Sequence, residues 1–233
     1  MTQYTPEVGR KFYADGLPRE FPGNTIICFA QPGSAAYALA CGLMDDVRAL
    51  PFAHKFALLP PSSLHMTTIE LLCDQNRRPE KWSAQLPLDA PLEETDQFFL
   101  RTAPGVPAPA TFHMRYAGVR QRPGLSITLL PASDDDARAL REYRDAISRA
   151  TGVRFPDHDT YRFHISLAYL LMELEPDEEL ALAALFAERE PILREKFGVF
   201  QTGQPQLVFF DDMFRFVPAS ERGGLRTRGK TAA

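Results

Sequence analysis

The chain has 233 residues, 45% of them apolar and 24% charged, which is ordinary globular composition with enough apolar material for a real core. Its formal net charge is −4 and its pI near 5.8. Lys and Arg form no outstanding cluster, so a long nucleic acid is not the expected partner and a small anionic ligand is.

Residues 1–23 are rich in Pro, Gly and charge and read as an irregular arm. Thr25–Ala30 has strand character. Ser34 offers a helix N-cap, and Ala40, Leu43, Val47 and Leu50 follow at the spacing of one helix face, until Pro51 stops it. Lys55–Leu59 and Leu64–Leu72 are further strands. Residues 74–110 are Pro-rich, with helical potential near Glu93–Arg101, and Phe112–Val119 alternates as a strand. Leu125–Leu130 is the next strand, and Ser133 caps a helix whose first turn holds Asp134, Asp135 and Asp136. That helix carries Leu140, Tyr143, Ile147 and Ala150 on one face. Tyr161–Leu171 is a strand, and Asp177–Lys196 a helix expected to bend or break at Pro191. Leu207–Phe210 and Met213–Val217 make a final strand pair, and residues 219–233 read as a disordered basic tail.

The same element order occurs twice. Ser34 and Ser133 stand 99 residues apart, and so do His65 and His164. The expected organisation is one α+β domain over 24–218, with two lobes from halves of about 24–120 and 124–218. Cys28, Cys41 and Cys73 are odd in number and form no C-x-x-C pair, so a disulfide framework is not expected and a cytoplasmic location is. Residues 1–10 show no signal-peptide pattern, and the longest apolar stretch, Ala35–Met44, is too short for a bilayer, so no membrane partner is expected.

Two strands carry the candidate chemistry. Side chains on a strand alternate faces. In Leu64–Thr68, His65 and Thr67 share one face while Leu64 and Met66 share the other. In Arg162–Leu167, His164 and Ser166 share one face, and Phe163, Ile165 and Leu167 the other. Two such strands could bring two imidazoles and two hydroxyls into one cleft. A neutral His can take a proton from attacking water and a protonated His can give one to a leaving oxygen. Hydroxyls can bond the non-bridging phosphoryl oxygens. A single His-x-Ser/Thr is weak, because His158-Asp159-Thr160 also fits the pattern. That third match lies in a polar, turn-like segment without apolar flanks. On spacing alone, a pair of half-buried histidines satisfied by local hydrogen bonds stays open.

The two motifs, with the longer phrases FPGNT, LLPPSSLHMT and PDHDTYRFHISLAYLL, resemble the two-histidine phosphoesterase superfamily over roughly residues 10–217. That superfamily includes cyclic nucleotide phosphodiesterases and LigT-like enzymes, and the phrases resemble a branch of it known as a domain of unknown function. The resemblance implies two antiparallel sheets lining a central cleft with helices outside, and catalytic roles for His65, Thr67, His164 and Ser166.

Strand parity adds candidate phosphate contacts. Arg162 falls on the face of His164, Arg115 and His113 turn away from the core side of their strand, and Ser126 and Thr128 point away from Leu125, Ile127 and Leu129. Arginine holds phosphate bidentately; an arginine solvated at a strand edge is the competing reading for each. Asp157, His158 and Asp159 make a hydrogen-bonded turn more readily than a metal site, and Trp82 is a packing residue. The expectation is a hydrolase acting on a small, cyclic, nucleotide-like phosphodiester without metal or other cofactor. The alternatives are an RNA end-processing or ligase-like enzyme, and a non-catalytic phosphate or nucleotide sensor. The oligomeric state is left open.

Overall fold

The computed structural model describes residues 3–221. Nine strands and four α-helices alternate along it: β1 (Gly23–Phe29), α1 (Ala35–Arg48), β2 (Phe56–Leu58), β3 (His65–Cys73), α2 (Leu92–Thr102), β4 (His113–Arg120), β5 (Gly124–Pro131), α3 (Asp134–Thr151), β6 (His164–Leu170), α4 (Pro176–Lys196), β7 (Val199–Gln201), β8 (Gln206–Phe210) and β9 (Phe216–Pro218). The fold is α+β, with a strongly curled antiparallel sheet ordered β7-β4-β5-β6-β3-β1-β8-β9, and β2 paired to β6.

The two lobes are β6-β5-β4-β7 and β3-β1-β8-β9, and they meet where β3 pairs antiparallel with β6 at Met66–Ile165. Chain order is exchanged between them. β4 follows β3 in sequence but pairs with β5 and β7, while β8 returns from beyond α4 to pair with β1. Each half of the chain therefore contributes a strand to the lobe of the other.

The helix signals act as read. The Ser34 hydroxyl accepts from the Tyr37 N–H at 3.2 Å, and Ser133 accepts from the Asp136 N–H at 3.1 Å. α3 ends at Gly152, whose φ of 68° suits a glycine. α4 runs through Pro191 without a break, so of the bend or break expected there the break does not occur. Leu182, Phe186 and Leu193 bury its inner face on both sides of that proline, and Arg189 pairs bidentately with Asp46 of α1 at 2.7 Å, so packing outweighs the one lost backbone hydrogen bond.

Apolar residues of α1 and α3, among them Leu43, Met44, Leu140 and Ile147, pack on one face of the sheet with Met66, Ile127 and Ile165. A smaller cluster lies elsewhere, built of Phe12, Phe21, Ala57, Leu59, Leu171, Phe210 and Met213. Phe12 and Phe21 belong to the N-terminal arm, which is thus packed structure. Met213, read as strand, sits in a turn between β8 and β9 and belongs to that cluster. The tail read from 219 begins with a short 3-10 turn at Ala219–Glu221, and from 222 on it lies outside the described residues. Among the described residues, no helix is long and apolar enough to cross a membrane.

Candidate active site

The seam between the lobes positions the two motifs. Met66 and Ile165, the middle residues of His65–Thr67 and His164–Ser166, are the paired residues, and both are fully buried. Antiparallel running then sets His65 alongside Ser166, and Thr67 alongside His164. With Met66 and Ile165 committed to the core, period-two alternation turns all four polar side chains to the opposite face. There they line one cavity of about 280 Å³.

Both imidazoles are held in the same way. Nδ1 of His65 lies 2.6 Å from the Ser63 carbonyl oxygen, and Nδ1 of His164 lies 2.8 Å from that of Arg162. A carbonyl only accepts, so each Nδ1 carries the donating proton, and Nε2 is the ring nitrogen left for a ligand. The His65 ring also packs edge-on against Phe216, with centroids 4.4 Å apart. Burial pushes the His65 imidazole down to about 4, opposed by its Ser63 hydrogen bond and reinforced by His164. His164 is also lowered, by burial first and then by the positive charges of Arg120 and Lys11, against the pull of its carbonyl partner. Both rings are therefore neutral at pH 7.

The cavity wall includes residues that strand parity did not supply. Glu70 lines it where unbroken alternation from His65 would bring Ile69. The β1–β3 register slips between Ile26–Ile69 and Ile27–Thr67, and this bulge turns Ile69 into the core and Glu70 out. Desolvation raises the Glu70 carboxyl above its ordinary value. Tyr161 also lines the cavity, in hydrogen-bonding contact with the Thr67 side chain, its phenol pushed far up by burial. Beneath it, the buried Arg144 guanidinium of α3 stacks 4.8 Å from the Tyr161 ring. It donates to the carbonyls of Thr68, at 2.5 Å, and His158, at 2.6 Å, so it ties the bulge to the turn before β6. Cys73 lines the cavity too, its thiol raised to about 11 by burial, so it stays protonated.

The other polar residues expected at the cleft lie outside this lining. β6 starts at His164, and Arg162 follows a 3-10 turn at His158–Thr160, so strand alternation does not extend back to it. Its side chain is exposed, and Tyr161 faces the cavity instead. Arg115 is exposed beside Leu130 and Val199, two strands away from β6. A bulge in β4 at Ala117 sets Arg120 against Ser126, which itself pairs with Ser166. The Ser126 hydroxyl, fully buried, accepts from Arg120 Nε at 3.2 Å, and Thr128 donates to the Gly118 carbonyl at 2.7 Å. Those two hydroxyls bond within the sheet. His113 pairs with Asp136 at 3.0 Å.

Asp145, His158 and Asp159 bring three possible metal-ligand atoms within 4.8 Å of one another. Arg154 donates to both carboxylates there, at 3.0 Å to Asp145 and 2.8 Å to Asp159, which makes the group an ion-pair network. None of the three lines the cavity.

The curled antiparallel sheet with two His-x-Ser/Thr strands meeting at its seam is the arrangement that the resemblance to two-histidine phosphoesterases implies. A family profile described as "2H-phosphodiest: Domain of unknown function (DUF1868)" matches residues 11–124. The chain also resembles the conserved protein of unknown function ATU0111 from Agrobacterium tumefaciens, with 31% identity, 93% of this chain and 92% of that chain covered, and a TM-score of 0.86. The chain belongs to this 2H phosphodiesterase-type family. More remote are TT0787 of Thermus thermophilus, at 16% identity over 79% of this chain and 86% of that one, with a TM-score of 0.44. Usb1 of Kluyveromyces marxianus stands at 13% identity over 85% of this chain and 98% of that one, also with a TM-score of 0.44. No curated protein matches. Family membership supports phosphoesterase chemistry.

Proposed function

We propose that the protein is a metal-independent phosphodiesterase that hydrolyses a small, cyclic, nucleotide-like phosphodiester. One observation carries this reading: two imidazoles, each with Nδ1 held by a backbone carbonyl so that Nε2 is the nitrogen left for a ligand, line one cavity with two hydroxyls. His65, the ring held down to about 4, is the general base; its Nε2 takes a proton from the attacking water. His164 is the general acid. The substrate's negative charge favours its protonated form, and its Nε2–H protonates the leaving sugar oxygen as the P–O bond breaks. The product is a phosphomonoester, and proton exchange with solvent resets both rings. Thr67 and Ser166 bond the non-bridging oxygens as charge develops on them. Metal independence follows from this division of labour, because both imidazoles are occupied as acid and base and neither motif carries a carboxylate. The test is turnover of a panel of 2′,3′- and 3′,5′-cyclic nucleotides and of 2′,5′-linked dinucleotides. Cleavage of one class, lost in both His→Ala variants, is the expected result. Binding without turnover across the panel points to a sensor and refutes the reading.

A further inference from the structure

We propose that the N-terminal arm completes the active site, with Lys11 as the cation that binds the non-bridging oxygens of the anion held between the two motifs. The proposal rests on the phosphodiester reading for the identity of that anion. Parity placed the phosphate-binding cation on Arg162 or Arg115, and both lie outside the cavity. Three cations line it with His65, Thr67, His164 and Ser166, namely Arg10, Lys11 and Lys81. Lys81 pairs with Asp157 at 3.3 Å and Arg10 is 39% exposed, which leaves Lys11 as the most covered of the three.

The arm is built to hold it there. Thr5 N–H donates to the Leu171 carbonyl at 2.9 Å and its hydroxyl to Leu170 at 2.5 Å, which fastens the arm to the end of β6. The chain then turns at Glu7–Phe12, with the Glu7 carbonyl accepting from the Lys11 and Phe12 N–H groups at 2.9 and 3.1 Å. Phe12 is fully buried, its ring 5.1 Å from Tyr169. Lys11 is therefore delivered by a packed segment.

Its ammonium is poorly satisfied for so covered a charge. The side chain is only 14% exposed. Among the described residues its ion pair is to Glu7 at 3.4 Å, and it otherwise faces the rings of Tyr169, at 4.3 Å, and Phe21, at 5.5 Å. A charge-assisted N–H···O bond is about 2.7–2.9 Å long, and a ring face offers no lone pair. Glu7 is also shared with Arg10, at 3.4 Å. A nearly buried ammonium with donors unspent, lining one cavity with two imidazoles, is complementary to a tetrahedral oxyanion.

The experiment measures binding of inorganic phosphate by calorimetry at pH 7 and low salt, with thermal unfolding as the check of fold. Lys11→Met is expected to weaken phosphate binding about tenfold, the weight of one hydrogen bond to a charged group, and Lys11→Arg to retain most of it. Glu7→Gln removes the competing carboxylate and is expected to tighten binding severalfold. A structural tether predicts the opposite sign for Glu7→Gln, because loosening the arm would withdraw Lys11. Phosphate affinity unchanged in Lys11→Met, or weakened in a folded Glu7→Gln protein, overturns the proposal. If Lys11→Met does not fold, Glu7→Gln and Lys11→Arg decide it. Lys11-dependent phosphate binding without turnover of any cyclic phosphate defeats the phosphodiesterase reading and leaves this one standing. Turnover that persists in Lys11→Met with unchanged phosphate affinity does the reverse.

Discussion

His65 ties the chemistry of the site to the stability of the fold, and the link can be measured. An imidazole in an unfolded chain titrates near 6.5, whereas burial holds His65 at about 4 in the folded protein. Between those values the unfolded state binds a proton that the folded state refuses, so stability rises with pH there. The contribution is fully present above pH 6.5 and is lost as pH falls through about 4. From pH 7 to pH 4.5 the loss covers most of two pH units at 1.36 kcal/mol each, or about 2 kcal/mol. His164 is lowered as well and adds a change of the same sign. The comparison is therefore between wild type and His65→Gln, which cannot titrate. Urea unfolding followed by the fluorescence of the buried, sole tryptophan, Trp82, gives the free energy at both pH values. Wild type should lose about 2 kcal/mol more than the variant on acidification. Equal losses in the two proteins, or an NMR titration of His65 with a midpoint near 6.5, refute the argument that this ring is kept neutral by its surroundings.

With a substrate in hand, kcat/KM should trace a bell against pH, and His65→Ala and His164→Ala should each cost at least about 100-fold while the fold survives. Thr67→Ala and Ser166→Ala should cost about tenfold each, and less than the product of both when combined, because the groups act on one transition state. Activity after exhaustive chelation should be unchanged; a loss restored by added metal would contradict the proposed acid/base roles. Arg144→Met should destabilise the protein by about 2–3 kcal/mol in urea unfolding, since it strands the Thr68 and His158 carbonyls. The same variant should perturb the NMR titration of His164, because the turn it releases leads into β6.

Much of the local structure was legible in the sequence. Ser34 and Ser133 cap the helices they precede, and the apolar spacing behind each serine faces the core. The two motif strands follow their alternation, because Met66 and Ile165 are apolar enough to fix which face is buried, and that choice decides where His65, Thr67, His164 and Ser166 point. These properties are set by residues within a few positions of one another. What the tertiary structure alone decided depends on pairing between distant segments. The exchange of β4 and β8 between lobes leaves no local trace. The bulges that bring Glu70 to the cavity and Arg120 beside Ser126 arise from register with β1 and β5, and one extra residue reverses every parity beyond it. Arg162 lost its expected place because β6 begins only at His164. The arm that carries Lys11 has neither helical nor strand period, and its position over the cleft is fixed by Thr5 and Phe12 docking onto β6, more than 100 residues away along the chain.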